Sequence, residues 1–231
     1  ANEQGYYDEM VFLMRNLFEN ALKTNDSLKF AVLTGCLRVA KESIFSGLNN
    51  IRIYSVLDTQ FSNYFGFTAE EVQTMADYYH AVDKLSEIQQ WYDGYKFGNT
   101  EIYNPWSVLY YFGNNCTALP YWVQTSGNAV IHEILQNLNT DICESLRELL
   151  NGITLDSIIN TNIIYPNLKD MESNIFSFLL MTGYLKSVNT TIDDRGTYIC
   201  QLAIPNKEVQ SVYSQEIVAL LADKIDSTQK P

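Results

Sequence analysis

The sequence predicts a helix-dominated α/β protein, in which an incomplete α/β unit precedes a mainly helical region and a small α+β element. Three observations favour this class. Apolar residues recur at helical spacing in most segments, two short runs near the N-terminus have the composition of buried strands, and two more strand-like segments follow late in the chain. With 231 residues, of which 46% are hydrophobic, the chain can bury a full core.

The first segment has the pattern of one half of an α/β sheet. Residues 6–24 predict an amphipathic helix, and residues 28–34 (LKFAVLT) predict a short buried strand parallel to its neighbours. A loop or broken helix over 36–50 leads to a second strand candidate at 51–56 (IRIYSV). The other half of such a sheet is missing and the sequence does not start with Met, so we expect a fragment of a longer protein.

The middle of the chain predicts helices with recognisable N-terminal signals. Thr68 followed by Glu71 fits a capping box, in which the hydroxyl accepts from a free helix amide and the carboxylate accepts from the Thr amide. This helix is expected to end near residue 79, and the next to span 83–91.

A turn-rich stretch separates these helices from the one that follows. Residues 93–98 (DGYKFG) have the composition of a turn, and residues 100–103 are a short extended piece. Asn104 as N-cap and Pro105 at the first helical position then open a helix that ends near Gly113.

The last part of the chain predicts helices followed by a hairpin. The helices are expected at 127–138, 141–151 and 171–182. Two strands at 184–188 and 197–203 are joined by a turn, and Asn206 caps a final helix that reaches about residue 225. Helices before a two-stranded hairpin suggest a winged-helix-like element, a type that often places a helix in the major groove of DNA.

The charge distribution works against nucleic acid as a partner. The formal net charge is −12, whereas tight sequence-independent binding to DNA or RNA depends on Lys and Arg that neutralise phosphates. Within 141–187 three basic side chains stand against six acidic ones. This region therefore favours contacts with protein over contacts with DNA.

Metal and membrane sites are not expected. The four cysteines are far apart, no CxxC pair occurs and only two histidines are present, so we expect reduced thiols in a cytoplasmic protein without a metal site. The longest nearly apolar run, 175–185, is too short to cross a bilayer, and no signal peptide is visible.

Several long motifs carry a family resemblance. They are GYYDEM (5–10), LTGCLRVAKESIFSGLNN (33–50), YFGFTAEEV (64–72), WYDGYKFGNTEIYNPWSV (91–108), YWVQTSGN (121–128), LLMTGYL (179–185) and IPNKEV (204–209). With these motifs the chain resembles the AAA-ATPase-like proteins of bacteria, which are P-loop ATPases commonly joined to a C-terminal PD-(D/E)XK nuclease-like domain. The resemblance implies an α/β remnant of a P-loop ATPase core over 1–67, a helical lid over 68–140 and a winged-helix-like element over 141–231.

The chain departs from the family pattern at the parts that hold nucleotide. No stretch fits GxxxxGK[ST], and no acidic pair ends a strand before GYYDEM. The resemblance therefore implies that ATP and Mg²⁺ are bound only in the intact parent protein, and that this chain alone does not hydrolyse ATP. The implied partners are the missing N-terminal P-loop segment and the C-terminal nuclease-like domain of the parent.

The resemblance also implies four site residues. Thr34 lies where related ATPases place a polar sensor beside the γ-phosphate, and Arg38 at the same rim could stabilise the transferring phosphate. Asn104 and Pro105 resemble the lid turn that packs against adenine. The structural alternatives are a surface ion pair for Arg38, a hydroxyl of Thr34 that satisfies the backbone, and a capped helix with Trp106 in the core.

Two other classes of function stay open. The chain could be a non-catalytic protein-interaction module, in which the aromatic-rich helices bind a partner, or residues 141–213 could bind nucleic acid. The aromatic side chains between 91 and 122 are expected to pack in the core and lid, because Lys96 is the only basic residue among them and base-stacking surfaces are usually basic.

Overall fold

The fold is a mixture of helices and two small antiparallel sheets. The computed structural model describes residues 5–23, 25–35, 51–122, 140–162 and 172–215, and the side chains of 140 and 172 are not described. The helices are α1 (Tyr7–Leu22), α2 (Ala69–Tyr78), α3 (Leu85–Tyr92), α4 (Pro105–Gly113), α5 (Thr140–Leu150), α6 (Glu172–Met181) and α7 (described over 207–215). The strands are β1 (Tyr95–Phe97), β2 (Thr100–Ile102), β3 (Leu155–Ile159), β4 (Lys186–Ile192) and β5 (Tyr198–Ala203).

The two sheets are separate in sequence and in pairing. Strands β1 and β2 form a hairpin with Tyr95 opposite Ile102. The second sheet has the order β3-β5-β4, and Cys200 in the central strand faces Ser157 on one side and Thr190 on the other. The predicted pair of late strands is thus confirmed. Its third member, β3, was not predicted, although the turn dipeptide Asn151-Gly152 precedes it.

Two apolar clusters hold the molecule together. The first core lies within residues 72–121 and is built from α2, α3 and α4; its fully buried members include Val72, Ile88, Tyr92, Val108 and Tyr111. The second core lies within 142–213 and is built from α5, α6, α7 and the three-stranded sheet; its fully buried members include Leu179, Leu185, Cys200, Leu202 and Tyr213. The division of the chain into domains at 67 and 140 stays a prediction.

The predicted helix starts are confirmed in atomic detail. The hydroxyl of Thr68 accepts from the amide of Glu71 at 3.3 Å, and the carboxylate of Glu71 accepts from the amide of Thr68 at 2.8 Å. Asn104 caps α4 with Pro105 at its first position. Asn206 caps α7, because its side-chain oxygen accepts from the amide of Val209 at 3.0 Å.

The predicted buried strands of the N-terminal segment are wrong. Residues 28–35 and 51–55 carry no strand, and every residue from 25 to 35 is exposed, with Phe30 at 77% and Val32 at 65%. A strand must pair with a neighbour to satisfy its backbone amides and carbonyls, and no described strand borders this run. The described residues therefore show no P-loop sheet, although α1 forms as predicted.

Helix α1 is amphipathic but buries none of its residues in the described structure. Phe12, Leu13 and Leu17 are each more than half exposed. Among the described residues, no helix has the length and apolar character needed to cross a membrane. The predicted helix at 127–138 lies outside the described residues.

Candidate functional site

The predicted phosphate-sensing pair is only partly within the described structure. Thr34 lies in the exposed run 28–35, which forms neither helix nor strand. Arg38 falls in 36–50, outside the described residues. Their proximity to a common rim, and their role, stay predictions.

The predicted adenine-contacting turn is a helix cap. The side-chain oxygen of Asn104 accepts from the amides of Trp106 and Ser107, at 3.0 and 3.5 Å. Those two amides are thereby satisfied within the chain. The core placement of Trp106, the structural alternative for this turn, is wrong, because Trp106 is 43% exposed.

A buried polar junction joins the first and second cores. Glu208 and Ser107 are both completely buried. The hydroxyl of Ser107 lies 2.9 and 2.8 Å from the two carboxylate oxygens of Glu208, and the amide of Trp122 donates to Oε1 at 2.8 Å. This junction, Ser107–Glu208–Trp122, links helix α4, helix α7 and the segment after Pro120.

Burial raises the pKa of Glu208 to about 7, although the hydrogen bonds from the Trp122 amide and the Ser107 hydroxyl oppose the shift. Desolvation dominates because no positive side chain offsets the charge among the causes of this shift. The junction thus contains a carboxyl group that changes charge near neutral pH.

Further polar contacts surround the junction. The side-chain amide of Asn206 donates to the carbonyl of Asp93 at 2.8 Å, and the ammonium of Lys207 donates to the side chain of Gln90 at 2.7 Å. The hydroxyl of Tyr95 is buried without a hydrogen-bond partner, and burial raises its pKa far above the ordinary value. The start of α7 is therefore tied to the end of α3.

A polar cavity opens beside Asp93. It has a volume of about 240 Å³ and is lined by Gln89, Gln90, Asp93, Gly94, Glu101, Lys186 and Pro205. Asp93 is only 8% exposed, and its Oδ1 atom has no hydrogen-bond partner. We name this space the Asp93 cavity.

The backbone at Gly94 shapes this cavity. Its φ of +94° lies in a region that side chains rarely adopt, and an added Cβ would collide with the carbonyl oxygen of Pro205. A glycine is required here because the chain turns tightly between α3 and β1.

A second cavity of about 310 Å³ lies between the 56–59 turn, the β1–β2 hairpin and the three-stranded sheet. Lys96 lines this cavity, and its ammonium group donates to the carbonyl of Val188 at 3.0 Å. Polar and apolar side chains share its lining, which includes Val56, Asp58, Thr190 and Tyr198.

The exposed side of α4 is aromatic. Trp106, Leu109 and Tyr110 are between 43% and 55% exposed, and the rings of Trp106 and Tyr110 lie 4.5 Å apart. The core packing predicted for the aromatic residues is confirmed for Tyr92 and Tyr111, which are fully buried. Tyr110 is about half exposed, and its ring lies 5.7 Å from that of Tyr121.

The sequence motifs that carry the resemblance meet around the junction and the Asp93 cavity. Three segments that are separate in sequence contact one another here: DGY (93–95), NPWS (104–107) and PNKE (205–208). Sequence reasoning missed this meeting point, because it treated 93–98 as a turn and assigned no role to Glu208. One sequence signal could have found Glu208: its carboxylate lies at helical spacing among the apolar positions Val209, Val212 and Tyr213.

Within the described ranges, no three His, Cys, Asp or Glu side chains come together as a metal-binding group. At the start of α4, the amides of Trp106 and Ser107 are occupied by Asn104. Binding of ATP and Mg²⁺ only in the intact parent protein stays a prediction.

The comparisons with known proteins yield one relative. The chain is 32% identical over 123 residues to an uncharacterized protein in the vnfD 5' region of Azotobacter chroococcum mcd 1. The matched part is 53% of this chain but 23% of the relative, so the chain spans about a quarter of that protein's length. No family model matches the chain, and no solved structure matches it at a significant level.

Proposed function

We propose that the chain is the sensor region and lid of an AAA-ATPase-like P-loop protein, and that it does not hydrolyse ATP by itself. The observation that supports this most is the exposed apolar N-terminal surface. In the part of the chain that the structure describes, α1 has no buried residue and the run 28–35 pairs with no strand. An exposed amphipathic helix and an exposed apolar run are typical of segments that pack against another part of a protein. In this proposal that part is the P-loop half of the sheet. The relative, of which the matched part is only 23%, is consistent with further segments.

In this proposal the nucleotide and its Mg²⁺ are held by the P-loop segment of the parent protein. Thr34 and Arg38 would contribute a hydroxyl and a positive charge near the γ-phosphate, where charge develops during phosphoryl transfer. Asn104 and Pro105 would form the lid edge that faces the base.

The buried junction gives the lid a mechanical role. Because Glu208 bonds to both Ser107 and the Trp122 amide, a movement of α4 that keeps these hydrogen bonds also moves α7. A displacement of the lid on ATP binding would therefore pass to whatever follows α7, which in the parent is the nuclease-like domain.

The proposal is tested by ATP turnover in the full-length parent protein. Replacement of Arg38 by Ala should lower turnover by about tenfold or more, as removal of a single transition-state charge contact typically does. Arg195→Ala, in the exposed β4–β5 turn, is the matched control and should leave turnover unchanged. Equal turnover in the two variants would remove Arg38 from the site.

A second candidate is a non-catalytic protein-interaction module. The exposed face of Trp106, Leu109 and Tyr110 favours it, because tryptophan and tyrosine dominate the centres of protein interfaces. A parent reading frame without a P-loop would favour this candidate, whereas an intact P-loop and acidic strand end would favour the ATPase. No described contact favours nucleic-acid binding by 141–213.

A further inference from the structure

The polar junction between α4, α7 and Trp122 fits a neutral carboxyl better than a charged one. Glu208 is completely buried. Its Oε1 atom accepts from the amide of Trp122 at 2.8 Å, and its Oε2 atom lies 2.8 Å from the hydroxyl oxygen of Ser107. A proton on Oε2 can be donated to Ser107, because a hydroxyl accepts hydrogen bonds as well as donating them. An ionised carboxylate in the same place is cut off from water and is held by neutral donors alone.

Among the described residues, the titratable groups around Glu208 do not offset a negative charge. Burial raises the pKa values of Tyr92 in α3 and Tyr95 in β1, and the charge of Glu208 raises them further. Glu87 in α3, which also acts on Tyr92, is a second carboxylate. The ammonium of Lys207 is bonded to the side chain of a residue in α3. Further phenols pack on the two sides of the junction: Tyr121, Tyr184 and Tyr213.

Other contacts at the start of α7 do not involve Glu208. The side-chain amide of Asn206 donates to the main-chain carbonyl of Asp93 at 2.8 Å, and the ammonium of Lys207 donates to Gln90 at 2.7 Å. The carboxyl of Asp93, whose pKa burial raises, takes part in neither bond. Ionisation of Glu208 therefore leaves these two bonds in place, so α7 can stay attached to α3 while α4 and Trp122 move away.

We propose that the junction Ser107–Glu208–Trp122 is a pH-sensitive switch between the first and the second core. With a proton on Glu208 the junction is closed and α4 is bonded to α7. When that proton is lost to solvent, α4 and the 121–122 segment separate from α7 and water reaches the carboxylate. The contacts between α7 and α3 act as the hinge. This proposal does not depend on the ATPase proposal.

The size of the effect follows from proton linkage. The closed junction raises the pKa of Glu208 to about 7, whereas a hydrated carboxyl in an open junction has the ordinary value of 4.5. The closed arrangement is therefore fully favoured below 4.5 and loses this advantage as pH rises through about 7. Ionisation shifts the equilibrium toward the open arrangement by about 300-fold. A factor of this size takes a junction that is about 5% open to one that is mostly open.

The test follows the exposure of Trp122, whose ring lies 4.9 Å from that of Tyr184. The chain has three tryptophans, so the variant Trp91→Phe/Trp106→Phe keeps Trp122 alone. Quenching of its fluorescence by acrylamide is measured from about pH 5 to about pH 8, with far-UV circular dichroism to verify that the helices remain. We expect the quenching constant to rise about twofold or more, with a midpoint between about pH 6 and about pH 7.

Glu208→Gln in the same background is the matched variant. Its side-chain amide has a donor and an acceptor, like the protonated carboxyl, but does not titrate, so the quenching constant should stay low at every pH. The double change His80→Asn/His132→Gln is the control, because histidine changes charge in the same pH range. This control should show the same rise as the parent variant.

A second measurement needs no change at Glu208 and applies also if Glu208→Gln does not fold. The side-chain carboxyl carbon of Glu208, followed by NMR, should titrate with the same midpoint as the quenching of Trp122. Constant quenching of Trp122, or a rise that persists in Glu208→Gln or disappears in the histidine control, would overturn the proposal. So would titration of Glu208 at a different midpoint, or loss of the helical signal during the rise, since the latter would mean unfolding of the whole chain.

Discussion

At the scale of single residues, Glu208 stands out among the described residues. It is a carboxyl with no exposed surface, held by the Ser107 hydroxyl and by backbone amides of the 121–122 segment. Neutral donors stabilise its charge less than water does, which is why its pKa rises to about 7. Its protonation therefore contributes to stability in a defined pH range.

The sign of that contribution follows from proton linkage. The carboxyl binds a proton more readily in the folded chain than in the unfolded chain, whose ordinary value is 4.5. The stabilisation is complete below that value and is lost as pH rises through about 7. A shift of this size corresponds to roughly 3 kcal/mol between the two limits.

We therefore expect Glu208→Gln to remove part of the pH dependence of unfolding. The free energy of unfolding is measured with urea for the wild type and the variant at about pH 5 and about pH 8. The difference between the two proteins should change by about 1–3 kcal/mol over this range, because the wild type loses stability at the higher pH. Glu70→Gln, on the exposed side of α2, is the control and should leave the slope unchanged. A difference that is constant with pH would show that Glu208 is not shifted.

At the scale of elements, the helix caps show what a sequence can predict. Thr68, Asn104 and Asn206 act through amides two or three residues away, so the local pattern contains all the partners. The N-terminal strands failed for the opposite reason. The run 28–34 has strand composition, but pairing depends on neighbours that composition does not specify.

The Asp93 cavity could not be predicted from the sequence, because it depends on contacts between distant segments. Its lining comes from α3, β2, β4 and the segment before α7, which are up to about a hundred residues apart. The sequence showed only a glycine-containing turn at 93–98, and nothing local links it to Lys186. The polar junction between Ser107 and Glu208 is likewise a contact between distant elements.

Variants of Asn104 test whether its side chain contributes to stability as the N-cap of α4. Asn104→Ala should destabilise the chain by about 1 kcal/mol, whereas Asn104→Asp keeps an N-cap acceptor and should stay within about 0.5 kcal/mol of wild type. Thermal and urea unfolding measure both. Equal stability of all three proteins would mean that the cap contributes nothing to the fold.

Helix α1 should be replaceable at its exposed apolar positions without loss of stability. Because it buries no residue, the change of Phe12, Leu13 and Leu17 to Ser should alter the free energy of unfolding by less than about 1 kcal/mol. Leu146→Ala, a buried position of α5 in the second core, is the contrast and should cost about 2–5 kcal/mol. A large loss in the α1 variant would show that this face is covered within the chain itself.

At the scale of the whole molecule, the described structure is two apolar cores joined by a buried polar junction, with an exposed apolar segment at the N-terminal side. The junction explains why the two cores would move together. The exposed apolar segment would be covered by a complementary layer if a longer protein supplies one.

The most direct measurement is calorimetric titration of ATP with Mg²⁺ into residues 1–231, beside the full-length parent protein, with circular dichroism to verify that both are folded. The account predicts binding by the parent and none by this chain at micromolar concentration, since phosphates and Mg²⁺ need the P-loop and an acidic strand end. Micromolar binding by residues 1–231 alone, or no binding by a folded parent, would contradict it.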